Sequence, residues 1–278
     1  MEISGKPVVE VREFGPVRAK LGVRKSFENS TFDQEITLYP KIRRVDFNTV
    51  IDWHDVHWMI KVAFPLNLKD PEATFDSAYG SISRPADGFE YPAQKWVDLS
   101  SSDRGVALLN NCRYGHDVKD STVRISLLRS PTEPAHNTDE GTHRIGYSIY
   151  PHSGNWKDVD VVRRGYEFNC PLIALLEGPH QGRLPLNFSF VKVEPRNVIL
   201  EVLKRAYDAE GFIVRAYEAH GEACDAKIVT SWAVKSASET DLMEKVVGGI
   251  RVNGNVMEFR MRPHEIKTLL FVQERPPP

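Results

Sequence analysis

The stretch NNCRYGHDVKDSTVRISLLRSP, residues 110–131, joins a polar loop to a short strand that ends on a lone arginine. Its second half, STVRISLL, alternates polar and apolar side chains, the pattern of a β-strand with one buried face. Pro131 has no N–H to give a sheet ladder, so the strand stops just beyond Arg129. The first half offers paired amides (Asn110 and Asn111), Tyr114, the flexible Gly115, His116 and Asp117. That vocabulary suits sugar hydroxyls better than phosphates or nucleobases, and loops hung on a rigid sheet are where binding groups usually sit. The same residues also read as a plain hairpin whose asparagines and glycine only serve the turn.

Outward from this segment the period stays at two. VRAKLGVRKSF, QEITLY, RRVDFNTVIDW, HWMIKVAF, HRIGYSIY and VRRGYEF all alternate or are rich in β-branched and aromatic residues. Turn signals separate them, among them Tyr39-Pro40, Asp70-Pro71, Arg84-Pro85-Ala86-Asp87-Gly88 and Ser153-Gly154-Asn155. Many strands and few helical patterns predict an all-β chain with a large antiparallel β-sandwich. A glycine- and proline-rich run from Glu177 to Pro185 reads as a linker. Beyond it LNFSFVKV, NVILEVLKRAY, FIVRAYEAH, DAKIVTSWAV, NVMEFRMR and IKTLLFVQ predict six or seven short strands, a smaller immunoglobulin-like sandwich. The expected division is a large sandwich over residues 1–178, a linker over 179–186 and the small sandwich over 187–278. Leu242 to Val247 reads either as a short helix or as a connection, and Arg275-Pro-Pro-Pro as a stiff tail.

The chain has 278 residues, enough to bury a substantial core. Its net charge of −2 gives no general reason to bind nucleic acid or an anionic membrane. The cluster Lys41-Ile42-Arg43-Arg44 reads as a solvated strand face. Cys112, Cys170 and Cys224 are too sparse for a zinc knuckle or a disulfide framework, which predicts reduced thiols and a cytoplasmic protein. The first residues, MEISGKPVVEVREFGP, lack a signal-peptide pattern, and no run has the length of a transmembrane helix.

Candidate catalytic groups are few. Asp52-Trp53-His54-Asp55-Val56-His57-Trp58 is rich in metal ligands, but within an extended strand His54 and His57 diverge, which predicts a packing role for the block. Asp117, Asp139 and Glu140 are acids in polar loops, where carboxylates are commonly just solvated. No G-x-S-x-G elbow, G-x-G-x-x-G loop or P-loop occurs.

ALLNNCRYGHDV, ISLLRSP, the acidic Asp139-Glu140-Gly141 and HRIGYSIYPHSG together resemble the C-terminal half of the cytosolic-type α-mannosidases of glycoside hydrolase family 38. STFDQEITLYP, IDWHDVHWMIKVAFP, KWVDLS, RGYEFNCPLIAL and VRAYEAHG extend the likeness in the same order over some two hundred residues. The resemblance implies a supersandwich of the galactose mutarotase type for the large domain. It also implies that the nucleophile and the zinc ligands lie in an N-terminal barrel that this chain lacks, so the chain alone is inactive and holds no cofactor. By the same alignment Arg129 matches an arginine that reaches the catalytic cleft. Tyr114, with Asn111 beside it, would stand on the same rim and bind sugar. Structural roles stay open for both: Arg129 paired with Asp139 or Glu140, and Tyr114 as a turn plug. Two functions follow. One is the non-barrel part of a zinc-dependent retaining α-mannosidase, partnered by its barrel and by mannose-containing oligosaccharides, with homo-oligomers possible. The other is a stand-alone carbohydrate-binding or assembly module.

Overall fold

The computed structural model describes residues 2–136 and 138–274. They form twenty-one strands and one helix, and they divide into two compact units. The first runs through Ser77 and over Ile82–Pro171; the second comprises Ala78–Ser81 and the chain from Leu172 onward.

A nine-stranded antiparallel sheet, within the first unit except for the first two residues of its last strand, carries, in spatial order, β1 (Val8–Phe14), β2 (Ala19–Phe27), β3 (Ser30–Tyr39), β4 (Ile42–Trp53), β13 (Gly141–Ser153), β10 (Arg104–Asn110), β9 (Trp96–Ser100), β6 (Glu72–Ser77) and β7 (Gly80–Arg84). A second sheet holds β5 (Ile60–Pro65), β12 (Thr122–Leu128), β11 (Gly115–Lys119) and β8 (Asp87–Pro92). One core fills the space between them. Ile51, Trp53, Ile145, Tyr147, Leu108, Val97, Leu99 and Phe75 come from the large sheet, and Ile60, Val118, Val123, Ile125 and Leu127 from the small one. Phe47 stacks on Tyr147 at 5.2 Å between ring centroids, and burial raises the Tyr147 phenol to about 12. The all-β sandwich expected from the period-two pattern is therefore present.

Three local readings change. VRRGYEF is not a strand but most of helix α1 (Val161–Asn169), which packs on β9 and β10. Val161, Val162 and Gly165 are its buried positions, a helical spacing. Gly165 is small because a Cβ there would lie 2.9 Å from Trp96 Cδ1. The HDVHW block does not continue β4: the strand ends at Trp53, and His57 has φ 62° in the connection to β5. Trp53 and Trp58 do serve packing, each against Phe27. His116 and Asp117 are not loop residues but lie on β11, both buried. Asp117 is gripped by Lys61 at 2.6 Å and Arg124 at 2.5 Å rather than solvated.

The second unit has eight strands where six or seven were expected: β14 (Val191–Glu194), β15 (Val198–Arg205), β16 (Phe212–Glu218), β17 (Cys224–Thr230), β18 (Val234–Thr240), β19 (Val246–Asn253), β20 (Val256–Met261) and β21 (Ile266–Gln273). They are ordered β14-β17-β20-β19-β18-β21-β16-β15. β19 pairs with β18 through Val246–Ile250 and with β20 through Arg251–Asn253, so it joins two layers. Between the layers lie Val214, Ala216, Leu269 and Phe271 on one side and Ala226, Ile228, Met257 and Phe259 on the other. The LNFSFVKV run is strand only from Val191, where β14 begins, and Asp241 to Lys245 is a tight connection, not a helix. Residues 171–190 carry no strand or helix. The reading of Arg275 to Pro278 as a stiff tail lies outside the described residues.

Each unit contains a buried titratable group. The Glu218 carboxylate, fully buried, accepts from Asn197 Nδ2 and from the backbone N–H of His220, Gly221, Glu222 and His264, at 2.7–3.0 Å. Burial alone would raise its pKa, but these donors hold it below the ordinary carboxylate range. Glu218→Gln replaces an acceptor-only group with one that has two donors facing donors, and should cost the second sandwich ~2–4 kcal/mol in chemical denaturation. A loss under ~0.5 kcal/mol would show that the cluster rearranges freely.

His116 is the reverse case. Its Nδ1–H donates to the Tyr114 carbonyl at 3.2 Å, leaving Nε2 as acceptor toward Asn110 Nδ2 at 3.5 Å. That neutral tautomer is favoured because desolvation lowers the imidazole pKa to about 4. With the folded value below the unfolded one, near 6.5, the neutral ring's contribution is complete above pH ~6.5 and is lost as pH falls toward 4. The protein should lose up to ~3 kcal/mol more over that interval than His116→Gln loses. Parallel pH–stability curves for the two proteins would contradict this.

Candidate functional site

The site is assembled from the ends of β10 and β12 and the start of β13. β10 ends on Asn110, fully buried, whose Nδ2 donates to the Gln94 carbonyl at 2.8 Å. Its Oδ1 accepts from Arg113 N at 3.0 Å, the local side-chain turn that asparagine favours. This fixes the loop that carries Asn111, Cys112, Arg113 and Tyr114. Asn111 Oδ1 accepts from Gly146 N on β13 at 3.1 Å, and a Cβ at Gly146 would lie 2.8 Å from Asn111 Nδ2. Gly146 is therefore the residue that lets this amide lie flat on β13. Tyr114 is 57% exposed, its carbonyl bonded to Ala93 N at 3.0 Å. Its hydroxyl makes no hydrogen bond among the described residues.

Arg129 follows β12 directly and is exposed. Its guanidinium makes no hydrogen bond or ion pair among the described residues. The backbone around it is held closely. Asp139 Oδ2 accepts from the N–H of Arg129 at 3.1 Å and of Ser130 at 2.9 Å. Ser130, at φ 44° and buried, accepts from Trp53 Nε1 at 2.6 Å and donates to the Asp55 carbonyl at 3.3 Å. Asp139 thus binds the arginine's main chain rather than its side chain, and an isolated cation stands on a braced corner.

The two loops are wired together through residues that the sequence did not single out. His143, on β13, donates from Nε2 to the Asp139 carbonyl at 2.7 Å, which leaves Nδ1 to accept from Arg113 Nη2 at 3.3 Å. Arg113 adjoins Tyr114 in the chain. Arg129, Tyr114 and Asn111 therefore stand on segments tied by one path of hydrogen bonds, Asp139–His143–Arg113. Arg113 and His143 lie within the blocks that carry the family resemblance, but nothing in their spacing shows that they meet.

This arrangement can donate hydrogen bonds and stack on a ring, but it has no free acid–base pair. Asp117 is held by two cations and Asp139 by two amides. Glu140 is largely exposed, 3.8 Å from His54, whose pKa is raised by the hydrogen bond its ring donates to Asp52. Among the described residues no three His, Cys, Asp or Glu side chains converge to hold a metal ion. The three cysteines are unpaired. No helix among the described residues is long and apolar enough to cross a membrane.

Residues 2–137 match the Glycosyl hydrolases family 38 C-terminal domain, and residues 197–269 match the Glycosyl hydrolases family 38 C-terminal beta sandwich domain. Alpha-mannosidase 2C1 of Mus musculus is 34% identical over 263 residues, which take in 90% of this chain and 25% of the relative. Alpha-mannosidase G of Dictyostelium discoideum is 31% identical over 281 residues, 95% of this chain and 26% of the relative. The chain thus spans about a quarter of the length of the curated relatives it matches. An alpha-mannosidase from Enterococcus faecalis V583 shares the fold, with a TM-score of 0.81 at 16% identity over 96% of this chain and 35% of that one. With two successive domains of the family matched in order and the sandwich folds to go with them, the chain belongs to glycoside hydrolase family 38 and corresponds to its C-terminal region.

Proposed function

We propose that the chain is the C-terminal, non-barrel part of a cytoplasmic, zinc-dependent retaining α-mannosidase that hydrolyses α-mannosidic bonds in oligosaccharides. It packs on the catalytic barrel and completes one wall of the active site. The observation that carries this reading is the Arg129 corner. A guanidinium exposed without a partner, on a main chain fixed by Asp139, Ser130 and Trp53, is arranged to meet something outside the chain. Its planar fork donates to sugar oxygens and favours negative charge that builds on them. The Tyr114 ring supplies a stacking surface and a free hydroxyl on the adjoining loop, and Asn111 an amide N–H. The relatives' names support α-mannosidase activity, and the zinc belongs to the barrel.

A stand-alone carbohydrate-binding module is the competing reading and rests on Tyr114. That ring touches no other aromatic ring among the described residues, so it offers a single stacking contact rather than a platform. The coding sequence immediately upstream separates the two readings at once, because only the first requires a barrel there.

The purified chain should bind no stoichiometric zinc by elemental analysis and should not turn over an aryl α-mannoside. Tightly held zinc together with turnover would place the catalytic centre in this chain and overturn the proposal.

In the complete enzyme Arg129→Ala should lower kcat/KM by roughly ten- to a thousandfold, as expected for a charged donor at a desolvated site. The melting temperature should hardly move, since exposed side chains without partners contribute within ~0.5 kcal/mol. Arg129→Lys should restore part of the activity, because an ammonium lacks the planar fork. A destabilised alanine variant with normal kinetics in its folded fraction would remove Arg129 from the site.

A further inference from the structure

The nine-stranded sheet is wider than the sheet that covers it. Its buried core residues come from β4, β13, β10, β9 and β6, and the cover ends at Phe27 and Phe32, half-buried at the core's edge. The core-facing side nevertheless continues. Phe32 pairs with Ile51 and Ile36 with Phe47 across β3 and β4; Leu21 pairs with Ile36 across β2 and β3; Val11 pairs with Leu21 and Val9 with Val23 across β1 and β2. By the alternation of strand side chains, Ile36, Leu38, Leu21, Val23, Val9 and Val11 all point to the same side as the core. Phe14, beyond a bulge in β1, joins them through its partner Ala19. Val11 is 68%, Phe14 91% and Leu38 52% exposed.

The other side of the same three strands is largely polar and laced with ion pairs. Arg12 binds Glu10 at 3.0 Å and Asp33 at 2.5 Å, Arg24 binds Asp33 at 3.0 Å, and Lys20 binds Glu35 at 3.2 Å. One face is thus built for water and the other for burial. β1 is moreover an edge strand with exposed valines, and long apolar edges pair with other chains unless something covers them.

We propose that this uncovered face of β1, β2 and β3 is the seat of the N-terminal portion that family 38 proteins carry outside the region matched here. The inference rests on the reading under Proposed function and specifies its docking surface. The region matched here is only 25–26% of the curated relatives and 35% of the Enterococcus faecalis chain, so most of each polypeptide is available to cover it. The face is mainly aliphatic with few polar handles, which suits a protein layer and not a sugar. Contiguous apolar patches beyond roughly a few hundred Å² mark such interfaces.

The test uses this chain and the N-terminal portion encoded with it, produced separately and mixed. The double variant Val11→Asp/Leu38→Asp should weaken association at least ~100-fold, the effect of losing central apolar contacts. Its own melting temperature should stay unchanged, and Leu242→Ser, on the second sandwich, should bind normally. Hydrogen exchange should slow on binding over residues 8–14, 19–27 and 30–39. Undiminished affinity of the double variant, or protection confined elsewhere, would overturn this surface while leaving the association intact. Dimerisation of the chain alone through this face, abolished by the double variant, would overturn the occupant. No association between two folded partners would overturn both this inference and the reading it rests on.

Discussion

The indole of Trp53 is the point on which the first sandwich and its candidate site both depend. The ring is fully buried, 6.3 Å from Phe27 in a stacked arrangement and edge-on to Phe32, so it closes one end of the core. A buried indole N–H is stabilised by an acceptor, and among the described residues Trp53, unlike Trp96 and Trp232, has one. Here that acceptor is Ser130 Oγ, on the residue after Arg129. The demand of one core side chain for a hydrogen bond therefore fixes where β12 stops and where the arginine begins. Asp139 completes the corner by taking the two amides that the strand's end leaves without a ladder. The position of Arg129 is thus inherited in part from packing in the core.

That coupling holds the main chain of the site in place although its functional groups are exposed. Arg129, Tyr114 and Asn111 are each presented from a main chain whose hydrogen bonds are made elsewhere: to Asp139, to Ala93 and to Gly146. The charged groups nearby are already committed, so the free guanidinium is not neutralised by its neighbours. A cation in that condition has no ion pair to break when a ligand arrives, so the ligand's contacts need offset only the cost of removing its water. The His143 link to Arg113 and Asp139 makes the two rim loops one unit, so they share their orientation.

Much of this fold was legible because the dominant signal, apolar–polar alternation, is what a half-buried strand requires. The signal failed where burial and polarity part company. His116 and Asp117 read as loop residues because they are polar, yet β11 buries both by supplying partners from other strands, Lys61 on β5 and Arg124 on β12. No local pattern can reveal partners so far away in sequence. VRRGYEF misled for the opposite reason. A nine-residue helix is too short for its polar–apolar order to stand out in the sequence, although Val161, Val162 and Gly165 all turn inward and Gly165 fits against Trp96. The end of β4 at Trp53 was equally hidden, since Trp, His and Val all suit a strand and the break lies in the backbone at His57. At the site, Arg129 was visible from its place before Ser-Pro. Its support was not, because Asp139, His143 and Arg113 are joined through space.

The three candidate sugar ligands are not equivalent, and the geometry ranks them. Asn111 has its carbonyl oxygen engaged by Gly146 N, so only its amino group is left to donate, and that group lies close against the Gly146 backbone. Tyr114 has both a ring face and a hydroxyl free, but a phenol is a neutral donor and gains less from a developing charge than a guanidinium does. Arg129 alone combines charge, several donors in a plane and a fixed main chain. If sugar binding at this rim discriminates between ground state and transition state, the discrimination resides in Arg129, while Tyr114 and Asn111 contribute to binding in both. The polar loop that first draws the eye in the sequence is then the holder of the ring, and the residue at the end of the strand is the one that bears on the chemistry.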